Sequence, residues 1–587
     1  MPDSSPKYQS MYFQPNQFSL FLSHPNLDWQ KEGDPDGSNP PKLDPLINDL
    51  VDRSTKIMQG FDGFKTARLS RANTHNFEAV PGMSECYASK LSTSRSPITT
   101  PRGKSSLVFV NIEDGEDDQI KLFRMITGLE AELSGKPVGN GLTLEAVSPN
   151  WLVRGVSEGS GTGGPGGWPV AYRGAPELAP FQIRNLRVRN RLIDEVILWV
   201  RAFLAETFGA SRPQIQTLQD IVTNTNKGKD VHVIILDSVP TSDTQSAYLQ
   251  YKDRHPLINS LLKPDGRLTL YRLDPAIKTK IEGLMSIGHD YDMSDHGLFI
   301  AGIIHTIAPC AKLHLVEVLN CYGMGSPESI ITGMKKALEI MQIKPEDSFV
   351  VNCSLTVDLP QEAGHLYARA YDSASCFVDF FTQADRELEK DILKKLLEPL
   401  WIKRQRSWLE HLCDTIYAKK SRVIAAAGND RKPGQEVAPQ ARIPAALESV
   451  QGVGALPRTA LRLQSGRRRT SSYSNVADTP GHIGIATLGG EAGEEQGLLG
   501  LYLGKFPGGE PNNTNWAWWP GTSFATPIVS GITALGLSDL VQSATAAPGA
   551  RSRQDAQQAI DNMYRTQKII QESRGESEVD ILDIIQG

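Results

Sequence analysis

Apolar and polar positions follow two different periods along the chain. From about Val231 onward, short and nearly continuous apolar runs recur: VHVIILD, KLHLVEVL, SFVVNCSL, SRVIAAAGN and SVQGVGAL. Segments of helical period separate them. Strands buried on both faces read as unbroken Val/Ile-rich runs, so the alternation predicts a parallel sheet with helices on both faces. This α/β domain should span residues 231–545. Within it, 385–420 is amphipathic, with Leu388, Ile392, Leu396 and Leu400 spaced by four, and reads as a helical insertion kinked at Pro399.

Upstream the pattern weakens. Residues 1–105 are rich in Ser, Pro, Asn, Thr and Asp. Apart from a helix expected around Leu43–Gly60, they predict a partly disordered, low-order arm. SLVFVNI then reads as a buried strand. Ile120, Phe123, Ile126, Leu129 and Leu133 mark a helix, and LTLEAVSPNWLVRGV returns as extended chain. Residues 106–180 therefore read as a small α+β module of β-α-β type, ending in the glycine-rich linker SEGSGTGGPGGWP. A helical connector is expected over 181–230, its Arg184, Arg187, Arg189 and Arg191 on a solvated face. A helical tail is expected over 546–587.

Composition narrows the function classes. Of 587 residues, 61 are Lys or Arg and 67 Asp or Glu, so the net charge of −6 argues against nucleic acid as a partner. No apolar run is long enough to span a membrane, and none is expected as a partner. The first residues lack the basic and apolar stretches of a secretory signal. The six cysteines (Cys86, Cys310, Cys321, Cys353, Cys376 and Cys413) have neither metal-ligand spacing nor the density of a disulfide framework. They read as small buried residues of a cytoplasmic protein.

Four segments of the α/β region carry candidate chemistry. VIILDS ends a strand in Asp237, where parallel sheets build their sites. SDHGLFIAGII opens an apolar helix with His296. VIAAAGND ends a strand in small residues and Asn429, whose amide can donate to a developing oxyanion. GTSFATPIVSGITAL sets Ser523 at a helix N-terminus, where the dipole favours negative charge. A nucleophile, a base, an orienting carboxylate and an oxyanion donor thus occur in the order Asp, His, Asn, Ser.

That order and those motifs resemble the subtilisin-like serine proteases over roughly residues 231–540. GTSFATP is similar to the family's nucleophile motif nearly letter for letter. Val239 stands where Gly is usual, and Leu298-Phe299 replaces Thr-His. The long gaps between Asp and His and between His and Asn imply insertions beside the cleft. The resemblance implies a subtilisin-like sheet, an endopeptidase acting on extended polypeptide, Asp237, His296 and Ser523 as catalytic residues, and Asn429 in the oxyanion hole. It implies a substrate strand held between Ser354-Leu355-Thr356 and Leu319–Ser326 (with Gly323), where Thr356 replaces a Gly. Ala426, Ala427 and Gly428 would wall the primary pocket. Arg442, two residues before Pro444, would lie at its floor and favour an acidic residue before the scissile bond, unless an internal acid such as Glu448 holds it. No metal or cofactor is expected, since the chain has no calcium-loop motif. Family propeptides are small α+β domains, so the 106–180 module is expected to be an intramolecular regulator. The alternative is a signalling or scaffold protein whose N-terminal half binds a dedicated protein partner and whose protease domain processes one target.

Overall fold

The computed structural model describes residues 13–24, 43–78, 104–115, 119–139, 142–155, 168–171, 228–241, 243–282, 284, 292–345, 347–357, 404–431, 438–457, 470–478, 484–491, 497–545 and 579–580. The first elements are β1 (Phe13–His24), α1 (Leu43–Met58), β2 (Arg68–Phe77), β3 (Lys104–Glu113), α2 (Gln119–Leu133), β4 (Pro137–Gly139) and β5 (Leu142–Trp151). They form a five-stranded sheet in the order β2-β3-β1-β5-β4. β3 and β5 both run antiparallel to β1, so they are parallel to each other across it. The β-α-β unit expected from residue 106 is therefore a split one, with β1 as its centre.

Residues 13–24 and 43–78 correct the expectation of a low-order arm. In β1, Phe18, Leu20 and Leu22 are fully buried between β3 and β5. Its polar residues are paired across strands: Gln17 donates to Asn111 (2.9 Å) and Ser19 to the Ser148 carbonyl (3.4 Å). Polar composition hides such a strand, because its hydrogen-bond partners are distant in sequence.

Two short strands follow, β6 (Val153–Gly155) and β7 (Val170–Ala171). The large domain comprises β8 (Val231–Asp237), α3 (Thr244–Tyr251), α4 (Pro256–Leu261), β9 (Leu268–Tyr271), α5 (Pro275–Glu282), α6 (His296–Ile307), β10 (Lys312–Glu317), β11 (Met324–Gly325), α7 (Pro327–Ile343), β12 (Ser348–Cys353), β13 (Leu355–Val357), α8 (Ser407–Ala418), β14 (Arg422–Ala426), β15 (Val450–Leu456), β16 (Ile485–Leu488), β17 (Leu498–Leu501), β18 (Trp516–Trp519), α9 (Thr522–Thr545) and β19 (Val579–Asp580). Its main sheet has the order β19-β16-β15-β14-β12-β8-β10-β9, and every pair is parallel. β10 pairs with one side of β8 and β12, the next strand of the sheet along the chain, with the other, so the winding changes side at β8 and a crevice opens at the carboxyl ends around it, where Asp237 sits.

The two-residue period of the strands separates two cores. Val233, Ile235, Leu313, Leu315 and Ile424 pack with α6 and α9. Ile234, Leu236, Val316, Val351 and Val423 pack towards α7 and α8. The second core is continuous with the N-terminal module, whose Phe18, Val108, Phe109 and Trp151 belong to the same apolar cluster as Met341 and Trp408. Among the described residues no helix is long and apolar enough to cross a membrane. Cys353 and Cys413 are buried, and Cys310 and Cys321 half-buried. Of the insertion 385–420, residues 407–418 form α8; residues 385–403, the connector 181–227 and most of the tail lie outside the described residues. Residues 579–580 of the expected helical tail are instead strand, paired with β16.

Candidate active site

Three separate elements bring the candidate residues together. Asp237 closes β8, His296 opens α6 and Ser523 lies in the first turn of α9. His296 Nδ1 lies 2.8 Å from Asp237 Oδ1, which also accepts the Ser238 backbone N–H at 2.7 Å. Gly297 permits this approach, because a Cβ there would stand 2.3 Å from the Ser238 carbonyl. The imidazole is walled by Trp519, edge-on at 5.3 Å, and Phe524, at 5.2 Å. Phe299, at one of the departures from the family motif, packs on both of these rings, and Gly500 makes room for it.

Ser523 is tied to the edge strand by reciprocal bonds. Its Oγ donates to the Ser354 carbonyl (3.3 Å), and Ser354 Oγ donates to the Ser523 carbonyl (2.9 Å). Sequence explains the second bond. Residue 527 would normally donate to the carbonyl four positions back, but it is Pro, so the Ser523 carbonyl needs an outside donor. Asn352 Nδ2 in turn donates to Ser354 Oγ (3.0 Å), and Ser530 Oγ donates to Asn352 Oδ1 (2.8 Å). His296 Nε2 and Asp237 Oδ2 are buried with no hydrogen-bond partner.

Asn429 follows β14, and its Oδ1 accepts from the Thr522 backbone N–H (3.1 Å) and hydroxyl (2.9 Å). Those bonds fix which side of the amide carries its donors, and Thr522 is a contributor the motif reading passed over. Ala426, Ala427 and Gly428 are buried beside it. Gly428 has φ +114, a conformation that favours glycine, and a Cβ there would meet Asn475 Nδ2 at 2.6 Å.

The edge strands take up an extended segment, and the segment is the chain's own. β6 pairs antiparallel with β13 (Leu355↔Gly155, Thr356↔Arg154, Val357↔Val153) and with β11 (Met324↔Arg154, Gly325↔Val153). It runs from opposite Val357 to opposite Leu355, the residue next to Ser354, whose carbonyl accepts the Ser523 hydroxyl. Gly323 does not pair; with φ 72 it makes the turn that delivers Met324. Asp237, His296 and Ser523 are all fully buried.

Arg442 does not offer a free fork. Its Nε and Nη2 donate to the two carboxylate oxygens of Asp430, both at 2.6 Å. Arg442 and Asn475 outweigh burial and hold the Asp430 carboxyl below its ordinary range. An acidic substrate side chain would compete with a bidentate partner already in place, so the expected preference for an acid loses its cause. The internal acid is Asp430, twelve residues upstream, rather than Glu448.

Asp295, beside His296, also escaped the motif reading. Its Oδ2 accepts the Leu503 backbone N–H at 2.6 Å, Oδ1 is buried without a partner, and burial pushes the carboxyl up to about 7.

Residues 286–560 match the model of the Subtilase family. The chain carries a subtilase domain, and the protein is a serine protease. The match takes in His296, Asn429 and Ser523 and begins beyond Asp237. No curated protein matches the sequence. Among solved structures, the chain is similar to the prenylagaramide maturation protease PagA, with 19% identity over 63% of this chain and 96% of that chain and a TM-score of 0.35. It is similar to the patellamide maturation protease PatA, with 22% identity over 56% and 84% and a TM-score of 0.31. It is also similar to a lanthipeptide protease, with 17% identity over 62% and 86% and a TM-score of 0.34. Among the described residues no three His, Cys, Asp or Glu side chains are grouped to hold a metal ion.

Proposed function

We propose that the protein is an endopeptidase using Asp237, His296 and Ser523, held in check by its own N-terminal module. His296 Nε2 takes the Ser523 hydroxyl proton as Oγ attacks the scissile carbonyl. Asp237 holds the Nδ1–H tautomer and stabilises the imidazolium. The Asn429 amide and the Ser523 backbone N–H receive the oxyanion. The imidazolium then protonates the leaving amine, and water hydrolyses the acyl-enzyme by the same route in reverse.

The observation that carries this reading is β6, laid between β11 and β13 and ending opposite Leu355, next to Ser354. An extended segment there occupies the place of a substrate strand, and main-chain pairing binds it with little demand on sequence. The resting Ser523 hydroxyl, bonded to the Ser354 carbonyl, would turn towards the unpartnered His296 Nε2 for attack. The module's hold is also polar. Gln405 Nε2 donates to the Val147 carbonyl (3.3 Å), and Asn73 Nδ2 donates to the buried Glu328 on α7.

Two variants of the full chain test the reading. Ser523→Ala should abolish casein cleavage and leave the fold intact; cleavage at the parent rate would exclude Ser523 as nucleophile. Arg154→Pro removes a donor from the middle strand of a three-stranded sheet. Peptide hydrolysis should then rise about tenfold or more, and an unchanged rate would show that β6 does not restrain the enzyme.

A further inference from the structure

Leu152, the residue just before β6, is 2% exposed. Its apolar neighbours do not come from the N-terminal module. It is buried in a separate cluster with Leu273, Ile277, Ile281, Leu284 and Met324, with Tyr322 packed alongside. Most of this cluster lies on and beside α5, in the long stretch of chain between Asp237 and His296.

The pocket wall is fixed to the protease domain independently of Leu152. Lys278 pairs with the buried Glu317 at 2.8 Å, and Lys280 with the buried Glu328 at 2.9 Å. Glu317 Oε2 also accepts the Leu273 backbone N–H at 2.9 Å. At the end of α5, Asn320 Nδ2 donates to the carbonyl of Ile281 (2.6 Å), in the last turn of the helix, and to that of Leu284 (2.9 Å), two residues beyond it. Asn320 Oδ1 accepts the N–H groups of Tyr322 and Met324, both at 2.9 Å. One buried amide thus joins the helix to the turn that presents β11 to a bound strand. If β6 withdrew, the wall would stay and its apolar side chains would face water, a surface that calls for an apolar occupant.

We infer that this cluster is a substrate subsite that selects polypeptides carrying a large aliphatic residue two positions before the residue paired with Thr356. Leu152 occupies it in the resting chain. The site lies beyond the segment that β11 and β13 pair with, so it adds side-chain selection to a main-chain interaction that has little of its own. It rests on the reading of β6 as a substrate-like strand. An apolar pocket of this kind discriminates by about 10-fold or more between an aliphatic and a small or polar side chain.

The test uses the full-length chain with Ser523→Ala, which blocks hydrolysis, and Leu152→Asp, which loosens the resident strand. Labelled hexapeptides following residues 150–155, with Leu, Ser or Asp at the third position, are titrated by fluorescence anisotropy. The Leu peptide should bind about tenfold or more tightly than the Ser and Asp peptides, and Ile277→Asn in the same background should erase the difference. Equal affinities, or no binding by any of the three, overturn the proposal. A second measurement covers a misfolded double variant: in the otherwise unaltered chain, Ile281→Ala should speed amide exchange at Arg154 and Gly155, and unchanged exchange overturns it. Casein hydrolysis by the Ser523 enzyme is read separately, so discrimination in peptide binding without casein hydrolysis counts against the protease reading alone.

Discussion

At the scale of single residues, burial changes the behaviour of a carboxyl beside the site. That carboxyl is Asp295, next to His296 in the chain. Its carboxyl is raised to about 7, with burial as the largest cause. A raised folded-state value means the native protein holds the proton more tightly than the unfolded chain does. The associated stability is full below about pH 4, the unfolded value, and is lost as the pH climbs towards 7. Above that, ionised Asp295 costs roughly 4 kcal/mol. Asp295→Asn keeps an acceptor for the Leu503 N–H and cannot ionise. Denaturant titrations should show the variant losing less stability than the parent between pH 4 and 8. Parallel curves for the two proteins would mean that Asp295 is not the titrating group.

At the scale of elements, short motifs work only as neighbours. The GTSFATP segment supplies Ser523, but Pro527 within it creates a need that Ser354, on another strand, satisfies. The segment from Asn429 to Arg442 closes on itself through the Asp430–Arg442 pair and Asn475. Arg442→Ala would leave a buried carboxylate without its main counter-charge. Breaking a buried pair from one side costs about 3–5 kcal/mol. The side chains are 23% and 13% exposed, which points to the lower end of that range. We expect thermal unfolding to shift down accordingly, and cleavage to gain for peptides with Lys or Arg before the scissile bond. Wild-type stability together with an unchanged cleavage profile would place the pair outside both roles.

For the whole molecule, the N-terminal module and the protease domain share one apolar cluster. Phe77, 4% exposed, sits at their junction, with its ring 5.4 Å from that of His411 on α8 and 5.3 Å from the Lys335 ammonium on α7. His411 Nε2 also lies 2.8 Å from the Glu78 carbonyl. Truncating a buried Phe to Ala typically costs about 3–5 kcal/mol. If the module restrains the enzyme, Phe77→Ala should raise peptide hydrolysis by the full chain while lowering its thermal midpoint. A lower midpoint with no gain in rate would make the contact purely structural.

The sequence by itself determined the elements whose information is local. Continuous apolar strands announced the parallel sheet, and the four motif segments put Asp237 and Asn429 at or just past strand ends and His296 and Ser523 at helix starts, because each placement needs only its own local element. The 107–155 strand–helix–strand pattern was legible for the same reason. What depended on distant partners was not. β1 reads as polar because Gln17 and Ser19 find their partners more than ninety residues away. Arg442 reads as an open cation because Asp430 meets it only after the chain has doubled back. Val153–Gly155 gives no local sign that it lies between β11 and β13, and α5 gives none that it encloses Leu152. Those placements belong to the tertiary structure, since main-chain pairing and apolar burial specify a complementary surface and leave its position along the chain open.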